Sequence, residues 1–420
     1  MTTATKTPSL IDWLPTLCIS FSAFIFVTSE MLPVGLLPEI AESLQQKEST
    51  TGLLMTVYAW VVAAIGLPLT ILTSKVNRKQ LISGLLIVFL ISNFLSALSE
   101  QFITLLSSRL MTAAAHAIFW SVTPPLAARL APQGKKTKAI AIIVTATSLA
   151  TILGIPLGTL LGQYFGWRLS FGLISLVALL TFIITLRVMP STPSANAGSF
   201  KNLSDIIHNV LLLKIYVLTL ITVMGHFTLF TYFSPFMIQT GGYPSAMIPI
   251  LLLLVGASGI LGSAIGGKFA DKNQHSVFWI PLLMLTVLLV FLPFIAKNAA
   301  VGNGLFCIIW GAAMTFVTMA YQLKVLNIAS EYTDVALSIY SGIFNLGIGT
   351  GALIGSRILL LYGVEKNAYA AAALMLFALV FVFFALGNRK EKQSKNLETD
   401  ALYDKISDNK HCQTDNKKPM

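Results

Sequence analysis

The stretch RLMTAAAHAIFWSVTPP, residues Arg109–Pro125, places ionisable and aromatic side chains inside an otherwise apolar segment. On a helix, Arg109 and His116 are seven residues apart and lie within about 20° of the same face. Thr112 and Trp120 fall on or beside that stripe. Ionisable groups are costly in hydrocarbon and normally face a bundle interior or a wet cavity. We therefore interpret the stripe as one wall of a polar pathway through a membrane. For His116 the alternative is a packed interhelical hydrogen-bond site.

Glu30, in the segment TSEMLPVGLLP, is the candidate charge partner of Arg109. Glu30 lies about seven residues before Leu37, and Arg109 lies about seven residues after Phe102, so both are roughly 10 Å deep. This matched depth permits an ion pair or alternating partners. A carboxylate binds a proton less tightly beside a cation than alone in an apolar wall. Making and breaking the pair would therefore couple proton movement to a conformational change. The alternative is a static pair that only fixes helix packing.

Polar and aromatic side chains also lie in apolar segments of the second half of the chain. Aromatic faces pack on the C–H surfaces of sugars, while a few polar groups fix the hydroxyls. A lone membrane histidine is about as often a packing hydrogen-bond partner as a proton relay, and both alternatives stay open for His226. The side chains predicted to contact a small polyhydroxylated solute are Thr112, Trp120, His226, Tyr232 and Asn345.

The composition indicates the class of protein. The chain has 420 residues, of which 55% are hydrophobic and 11% charged, and its mean hydropathy is +0.78. Soluble chains carry about 25% charged residues, so we predict a polytopic membrane protein embedded in a lipid bilayer. Much of the net charge of +11 lies in short loops between apolar segments, where it sets orientation and does not indicate nucleic-acid binding.

Several classes of site are not expected. The three cysteines, Cys18, Cys307 and Cys412, are widely separated, which is neither a disulfide framework nor a metal-binding spacing. The sequence contains no Walker motif, so ATP is not expected to be the energy source. It also offers no phosphate clamp and no nucleophile–base pair. We therefore expect no metal, no cofactor and no enzymatic activity.

Twelve apolar segments have lengths near the roughly 20 residues that span a bilayer. They cover residues 13–37, 52–73, 81–98, 102–129, 139–161, 169–189, 211–240, 246–270, 277–296, 302–328, 335–362 and 368–386. Basic residues are concentrated in the loops after the second, fourth, sixth and eighth segments. This asymmetry predicts a multi-pass protein of the cell inner membrane with both termini in the cytoplasm.

An internal repeat predicts two halves. The sequence GIPLG at Gly154–Gly158 corresponds to GALIG at Gly351–Gly355, and 351 minus 154 is 197. The fold class predicted is therefore an all-α membrane protein, with twelve transmembrane helices in two pseudo-symmetric six-helix bundles. We expect the bundles at residues 13–189 and 211–387. A cytoplasmic N-terminus at 1–12, a cytoplasmic linker at 190–210 and a disordered cytoplasmic tail at 388–420 complete the chain.

These features resemble the major facilitator superfamily, in its drug:H⁺ antiporter-like branch, and within that branch the bacterial sugar efflux transporters. The resemblance implies that family's twelve-helix fold, alternating access and a monomer. The residues that carry it are HAIFWS (His116–Ser121), LAARLAP (Leu126–Pro132), GQYFGWR (Gly162–Arg168), SGIFNLGIGTGALIG (Ser341–Gly355), TDVA (Thr333–Ala336) and YAWVVA (Tyr58–Ala63).

The family's loop motif, Gly-x-Leu-Ala-Asp-Arg-x-Gly-Arg-Lys, is matched unevenly. The second half matches well in GKFADK, whereas in the first half Ser74 replaces the aspartate. The matching residues, to which the resemblance gives a role in gating, are Arg78, Lys79, Gly267, Asp271 and Lys272. Simple membrane topology is the alternative for the two residues of the first half. Lys324 and Asp334 are both near the cytoplasmic end, where a pair between them would close the inner mouth. Interfacial snorkelling is the alternative for Lys324 and is slightly preferred.

Gly154, Pro156 and Gly158 resemble the core of the glycine–proline motif that marks antiporters in the family. Small residues every four positions let helices approach closely, and close packing alone is a compatible alternative. Arg109 matches the family's membrane-buried arginine, although Thr112 stands where a glutamine is usual.

Residues and resemblance together predict a secondary transporter that exports sugars or sugar-like small polar solutes by proton antiport. Glu30 and His116 are expected to take up protons, with Arg109 as their charge partner. The expected partners are a sugar and protons, and no nucleic acid. The nearest alternative is a multidrug exporter of the same fold, which a more apolar cavity would favour. The glycine motifs and the repeat argue against a membrane sensor, and the absence of a catalytic constellation argues against a membrane enzyme.

Overall fold

The computed structural model describes residues 9–73, 75–193, 206, 208–269, 276–298, 300–329 and 333–386. Within these residues, twelve helices are long and apolar enough to cross a membrane, and the predicted all-α fold is confirmed. The predicted tail, most of the predicted linker and the first eight residues lie outside them. The spans, numbered in chain order, are Leu10–Gly35, Leu53–Leu72, Arg78–Ala97, Phe102–Leu130, Lys136–Phe165, Trp167–Val188, Val210–Phe230, Ile248–Phe269, Ser276–Asn298, Ala300–Ile328, Thr333–Tyr362 and Lys366–Leu386.

The helical form of every span follows from its surroundings. In hydrocarbon there is no water to satisfy a backbone N–H or C=O, and a helix pairs these groups within the segment. Large apolar side chains such as Leu180, Phe291 and Phe377 are exposed, as expected of surfaces that face lipid. We call the membrane side where span 1 begins the near side, and the side where it ends the far side.

Proline breaks two spans near the far side. The short helix Leu37–Ser43 follows span 1, and the short helix Phe233–Gln239 follows span 7. Proline has no N–H, and its ring clashes with the carbonyl four residues earlier, so Pro38 and Pro235 each favour a new helix start. Because 235 minus 38 is 197, the two breaks are related by the internal repeat. The uninterrupted segment predicted over residues 211–240 is wrong in this respect.

Span 5 contains a π-helix, Ala150–Gly154, between helices Lys136–Leu149 and Ile155–Phe165. The N–H of Ile155 donates to the carbonyl of Ala150, five residues earlier. Pro156 comes next and cannot donate, so the wider turn accommodates the missing hydrogen bond. The glycine–proline motif therefore marks a local change in helix geometry.

Both bundles use the same helix pairing. In the first half span 1 packs against span 5, span 2 against span 4 and span 3 against span 6. The equivalent pairs in the second half are spans 7 and 11, 8 and 10, and 9 and 12. Between the halves, span 2 packs against span 11 and span 5 against span 8, which are again equivalent pairs. The predicted pseudo-symmetric architecture is confirmed.

An apolar layer joins the two halves on the far side. The first half has its own hydrophobic cluster, but some of its side chains are buried in the cluster of the second half instead. These side chains are Val34, Leu37, Met55, Ala59 and Ile155. Four of the five belong to the far ends of spans 1 and 2 or to the short helix after span 1. The far side is therefore closed by apolar packing between the bundles.

Candidate functional site

Arg109 is held in the centre of the first half. It is 1% exposed, and it donates from Nη1 to Ser29 Oγ at 3.0 Å and from Nη2 to the backbone carbonyl of Glu30 at 3.3 Å. Its guanidinium lies 4.7 Å from the centre of the Tyr58 ring and 5.6 Å from that of Phe171. Spans 1, 2, 4 and 6 therefore meet around one buried cation.

The carboxylate of Glu30 faces a histidine. Glu30 Oε2 lies 3.7 Å from His116 Nε2, and both residues are buried. The other ring nitrogen, Nδ1, lies 2.9 Å from the hydroxyl oxygen of Tyr58. The matched depth of Glu30 and Arg109 in the sequence predicts an ion pair or alternating partners. The structure corrects the first alternative, since Arg109 binds the main chain of Glu30 and His116 faces its carboxylate.

Neutral hydrogen bonds extend this cluster into span 3. Ser29 donates to Asn93 Oδ1 at 2.7 Å, and Asn93 in turn donates to the carbonyl of Phe89 at 2.8 Å. Because Ser29 also accepts from Arg109, this one hydroxyl links spans 1, 3 and 4. This network fixes the arginine side chain and limits its freedom to move toward the carboxylate.

Two predicted solute-contacting residues belong to helix packing. Thr112 is fully buried and donates to Ser92 Oγ of span 3 at 2.9 Å. Tyr232 is also fully buried, and its hydroxyl donates to the carbonyl of Ala352 at 3.0 Å. Tyr232 lies at the helix break before Pro235, where its side chain fills the space beside Gly52, just before span 2, and Gly355 of span 11. In this structure both side chains therefore make protein contacts, and their role in solute binding stays a prediction.

Trp120 keeps a partly exposed ring, and Asn345 keeps a buried amide oxygen that no described residue binds. Trp120 is half-buried, and its ring centre lies 6.0 Å from that of His116, so it adjoins the Glu30 cluster. Asn345 is 8% exposed and donates to the carbonyl of Ser341 at 3.0 Å. Its Oδ1 atom has no hydrogen-bond partner among the described residues.

His226 lies in an aromatic cluster of the second half. Its ring stacks on Phe230 at 4.8 Å and lies 5.1 Å from the ring of Trp310. His226 Nδ1 and Trp310 Nε1 are buried and without a hydrogen-bond partner in the described part of the chain.

The internal repeat shows what stands in the second half where the first half has its charged cluster. With the repeat offset of 197 residues, Glu30, Arg109 and His116 correspond to Phe227, Phe306 and Ala313. The charged cluster of the first half is thus replaced by apolar and aromatic groups in the second.

The predicted gating residues lie at the near ends of the spans. Arg78 begins span 3, where its backbone N–H donates to the carbonyl of Thr192 at 3.0 Å. The backbone N–H of Lys79 donates to Asn77 Oδ1 at 3.0 Å. Gly267 lies in span 8, and half-buried Lys324 lies in span 10.

The remaining gating predictions fall outside what the structure describes. Asp271 and Lys272 are outside the described residues, as is the side chain of Asp334, although its backbone belongs to span 11. The pairing of Lys324 with Asp334 and the gating role of this motif therefore stay predictions.

The glycines of span 5 allow a close approach to span 1. A Cβ atom added to Gly154 would overlap the side chain of Thr28, and one added to Gly158 would lie 2.8 Å from Leu32 Cδ1. Pro156 lies between them at the start of the helix that follows the π-turn. The spacing of small residues therefore corresponds to a tight helix–helix contact beside Glu30.

Hydrogen bonds between the halves lie from mid-membrane to the far side. In each bond the donor and the acceptor belong to opposite halves of the chain. These bonds run from Trp60 Nε1 to Thr350 Oγ1 (3.3 Å), Gln163 Nε2 to Ser245 O (2.9 Å), Gln239 Nε2 to Glu48 Oε2 (2.8 Å) and Ser356 Oγ to Ser49 O (2.8 Å). Together with the apolar layer, these hydrogen bonds join the two bundles between the Glu30 cluster and the far side.

Tyr58, which contacts both Arg109 and His116, is a site residue that the sequence pattern does not predict. Its only signal in the sequence is an aromatic hydroxyl within an apolar span, in YAWVVA.

In the described residues, no three His, Cys, Asp or Glu side chains converge to form a metal site.

Comparison with known proteins identifies the family that has this architecture. The Major Facilitator Superfamily model matches residues 19–335. A bacterial homologue of the human lysosomal transporter Spinster, inward-facing and unoccupied, aligns over 90% of this chain and 98% of its own, with 16% identity and a TM-score of 0.75. Its occupied form aligns over 92% and 98%, with 16% identity and a TM-score of 0.76. A D-xylose–proton symporter aligns over 88% and 97%, with 15% identity and a TM-score of 0.71. At these identities the structural likeness establishes a shared fold.

Proposed function

The chain belongs to the Major Facilitator Superfamily and is a transporter of small solutes, and we propose that it exports sugars or sugar-like polar solutes in exchange for protons. The observation that carries the proposal is the contact between Glu30 and His116, 3.7 Å apart and buried beside a fixed arginine. Both are groups that can bind and release protons. A buried ionisable pair in a membrane span is costly and marks a functional site by default.

Coupling follows from the packing around this pair. Glu30 lies one turn from Val34, which belongs to the apolar layer that closes the far side. Gly154 and Gly158 pack closely on the same span. A change in the charge of Glu30 alters the cost of burying it, so protonation favours one arrangement of span 1 over the other. Alternating access would then proceed by rocking of the two bundles about the central site.

Solute binding is proposed for Trp120, His226 and Asn345. Trp120 offers an aromatic face beside the proton-binding pair, and the other two offer polar atoms without protein partners among the described residues. Such a combination suits a solute with both C–H surfaces and hydroxyls. A solute bound between the halves would be released as the far side opens.

The near side is proposed to be cytoplasmic. The basic residues between the spans are concentrated in near-side loops, which is the pattern of cytoplasmic loops. We place the protein in the cell inner membrane as a monomer, with both termini in the cytoplasm and the two bundles as its domains. We propose neither a cofactor nor an enzymatic reaction for it.

A multidrug exporter is the second candidate. The cluster of His226, Phe230 and Trp310 favours it, since stacked aromatic side chains bind apolar compounds as readily as sugars. In that case the same proton-binding pair would drive export of a hydrophobic solute.

Counterflow in proteoliposomes tests the proposal. Proteoliposomes that contain the purified protein are preloaded with unlabelled arabinose, lactose or a hydrophobic dye, and uptake of the same labelled compound is followed. Sugar exchange that an imposed pH gradient accelerates supports the first proposal. Exchange of the dye without exchange of either sugar supports the second candidate. No exchange of any of the three compounds contradicts both.

A further inference from the structure

We propose that Tyr58 is a positioning residue that sets the tautomer of His116, so that the Nε2–H of the histidine faces the carboxylate of Glu30. This inference deepens the proposed function and rests on it, because it concerns the same proton-binding pair. Tyr58 belongs to span 2, whereas Glu30 and His116 belong to spans 1 and 4.

Three contacts place Tyr58 at the centre of the cluster. Its hydroxyl oxygen lies 2.9 Å from His116 Nδ1, and its ring centre lies 4.7 Å from Arg109 Cζ. On the opposite side of the imidazole, His116 Nε2 lies 3.7 Å from Glu30 Oε2. Tyr58 and Arg109 are each 1% exposed, so bulk water does not compete for these contacts.

The tautomer follows from the donors and acceptors present. A neutral imidazole has one N–H donor and one acceptor nitrogen, and an ionised carboxylate only accepts. Nε2 faces the carboxylate, so the favourable arrangement has its hydrogen on Nε2. Nδ1 must then accept a hydrogen bond, and the Tyr58 hydroxyl is the group that donates it. The opposite tautomer would direct a nitrogen lone pair at the charged Glu30.

A tyrosine hydroxyl suits both charge states of His116. When the imidazole takes up a proton, both nitrogens become donors. The hydroxyl of Tyr58 can then rotate and accept from Nδ1, which keeps the hydrogen bond through the change. The titratable and charged groups around the imidazole are Glu30 of span 1, Tyr58 of span 2 and Arg109 of span 4.

Two substitutions separate the hydroxyl of Tyr58 from its ring. Tyr58→Phe keeps the aromatic face beside Arg109 and removes only the hydrogen bond to His116. Tyr58→Leu removes both. Tyr340→Phe is the matched control, since it removes another buried tyrosine hydroxyl, which donates to the carbonyl of Thr318 at 3.1 Å in the second half.

The direct measurement is ¹⁵N NMR of the full chain in lipid nanodiscs with labelled histidine, and His116→Gln identifies the signal of His116. We expect the Nε2–H tautomer in the wild type and in Tyr340→Phe. In Tyr58→Phe the ratio of the two tautomers should fall about fivefold, which corresponds to about 1 kcal/mol for one hydrogen bond. An unchanged ratio in Tyr58→Phe overturns the inference. So does a wild type with its hydrogen mainly on Nδ1, which decides the matter even if the variant fails to fold.

Transport assays distinguish this inference from the proposed function. We expect Tyr58→Phe to shift the pH profile of gradient-driven transport and to leave counterflow intact. If the wild type exchanges no solute but Tyr58→Phe changes the tautomer ratio, the proposed function fails and the role of Tyr58 stands. If proton-driven sugar exchange occurs and neither the tautomer ratio nor the pH profile changes, the role of Tyr58 fails alone.

Discussion

Arg109 donates a hydrogen bond to the backbone carbonyl of Glu30, 3.3 Å away, while the carboxylate of Glu30 lies 3.7 Å from His116. The arginine therefore holds span 1 through an atom whose charge does not change with protonation. This leaves the carboxylate and the imidazole as a separate pair. We infer that Arg109 supports the geometry of the site and that Glu30 with His116 carries the proton.

Glu30→Gln tests the proton-binding pair. The amide keeps the shape of the side chain but cannot ionise, so we expect transport driven by a pH gradient to fall to the level of protein-free liposomes. Counterflow, which needs no net proton movement, should remain. Glu42→Gln, at an exposed glutamate of the short helix after span 1, is the control. Undiminished gradient-driven transport by Glu30→Gln at native expression would show that Glu30 is not the coupling group.

Arg109→Lys tests the supporting role of the arginine. An ammonium group cannot reach both Ser29 Oγ and the carbonyl of Glu30 with the geometry of the guanidinium fork. Each lost hydrogen bond to a charged group costs about 1.5–3 kcal/mol. We therefore expect a lower free energy of unfolding, measured by denaturation in detergent micelles. Arg187→Lys, at an exposed position on span 6, should be neutral. Equal stability of both variants would contradict the tight coordination of Arg109.

Gly154→Ala tests the contact between spans 5 and 1. The added methyl group would overlap the side chain of Thr28, and overpacking of this kind costs about 1–3 kcal/mol. We expect a lower melting temperature and slower transport. Gly84→Ala, where an added Cβ has no neighbour within 4 Å, should change stability by less than about 0.5 kcal/mol. If the two variants behave alike, close approach at Gly154 does not limit packing or transport.

A disulfide between the halves tests the rocking motion. Ser356 Oγ of span 11 donates to the carbonyl of Ser49, which lies in the short helix Glu48–Thr51 just before span 2, at 2.8 Å on the far side. In a background with Cys412→Ser, we expect the double variant Ser49→Cys with Ser356→Cys to lose transport on oxidation and regain it on reduction. The single-cysteine variants should respond to neither treatment. Full transport by the oxidised, cross-linked protein would contradict opening of the far side during the cycle.

Glu39 predicts a pH dependence of stability. It lies on the short helix Leu37–Ser43, outside the spans, and burial raises the pKa of its carboxyl group above that of an ordinary glutamate; the nearby charges of Glu42 and Glu48 act in the same direction. The folded state therefore favours the protonated form. Stability from this group is present below the pKa of the unfolded state and is lost as the pH rises through the raised pKa.

Glu39→Gln removes this titration. The difference in melting temperature, variant minus wild type, should be larger at about pH 8 than at about pH 4. Glu100→Gln, at an exposed glutamate between spans 3 and 4, is the control, and its difference in melting temperature should change less between the two pH values. A difference that is the same at both pH values would mean that Glu39 does not titrate differently in the folded state.

Much of the architecture could be predicted because local composition decides it. A long apolar run has only one way to satisfy its backbone in a bilayer, so span number and type follow from hydropathy. The 197-residue offset predicted the two halves, and it also relates the breaks before Pro38 and Pro235, which hydropathy alone did not reveal. The prolines themselves indicate these breaks, but hydropathy does not, because the residues around them are uniformly apolar.

The amino-acid sequence by itself determined the membrane class, the twelve helical spans and the concentration of charge in spans 1 and 4, because each depends on residues close together along the chain. It also determined the pseudo-symmetry, because the 197-residue repeat is visible without any structure. The partners of those charges were decided only by the tertiary structure. Helix rotation directs the carboxylate of Glu30 to His116, buries Thr112 against Ser92, and brings Tyr58 from span 2 between the arginine and the histidine. A rotation of one residue, about 100°, moves a side chain to another face, and this angle is set by packing between helices far apart in sequence.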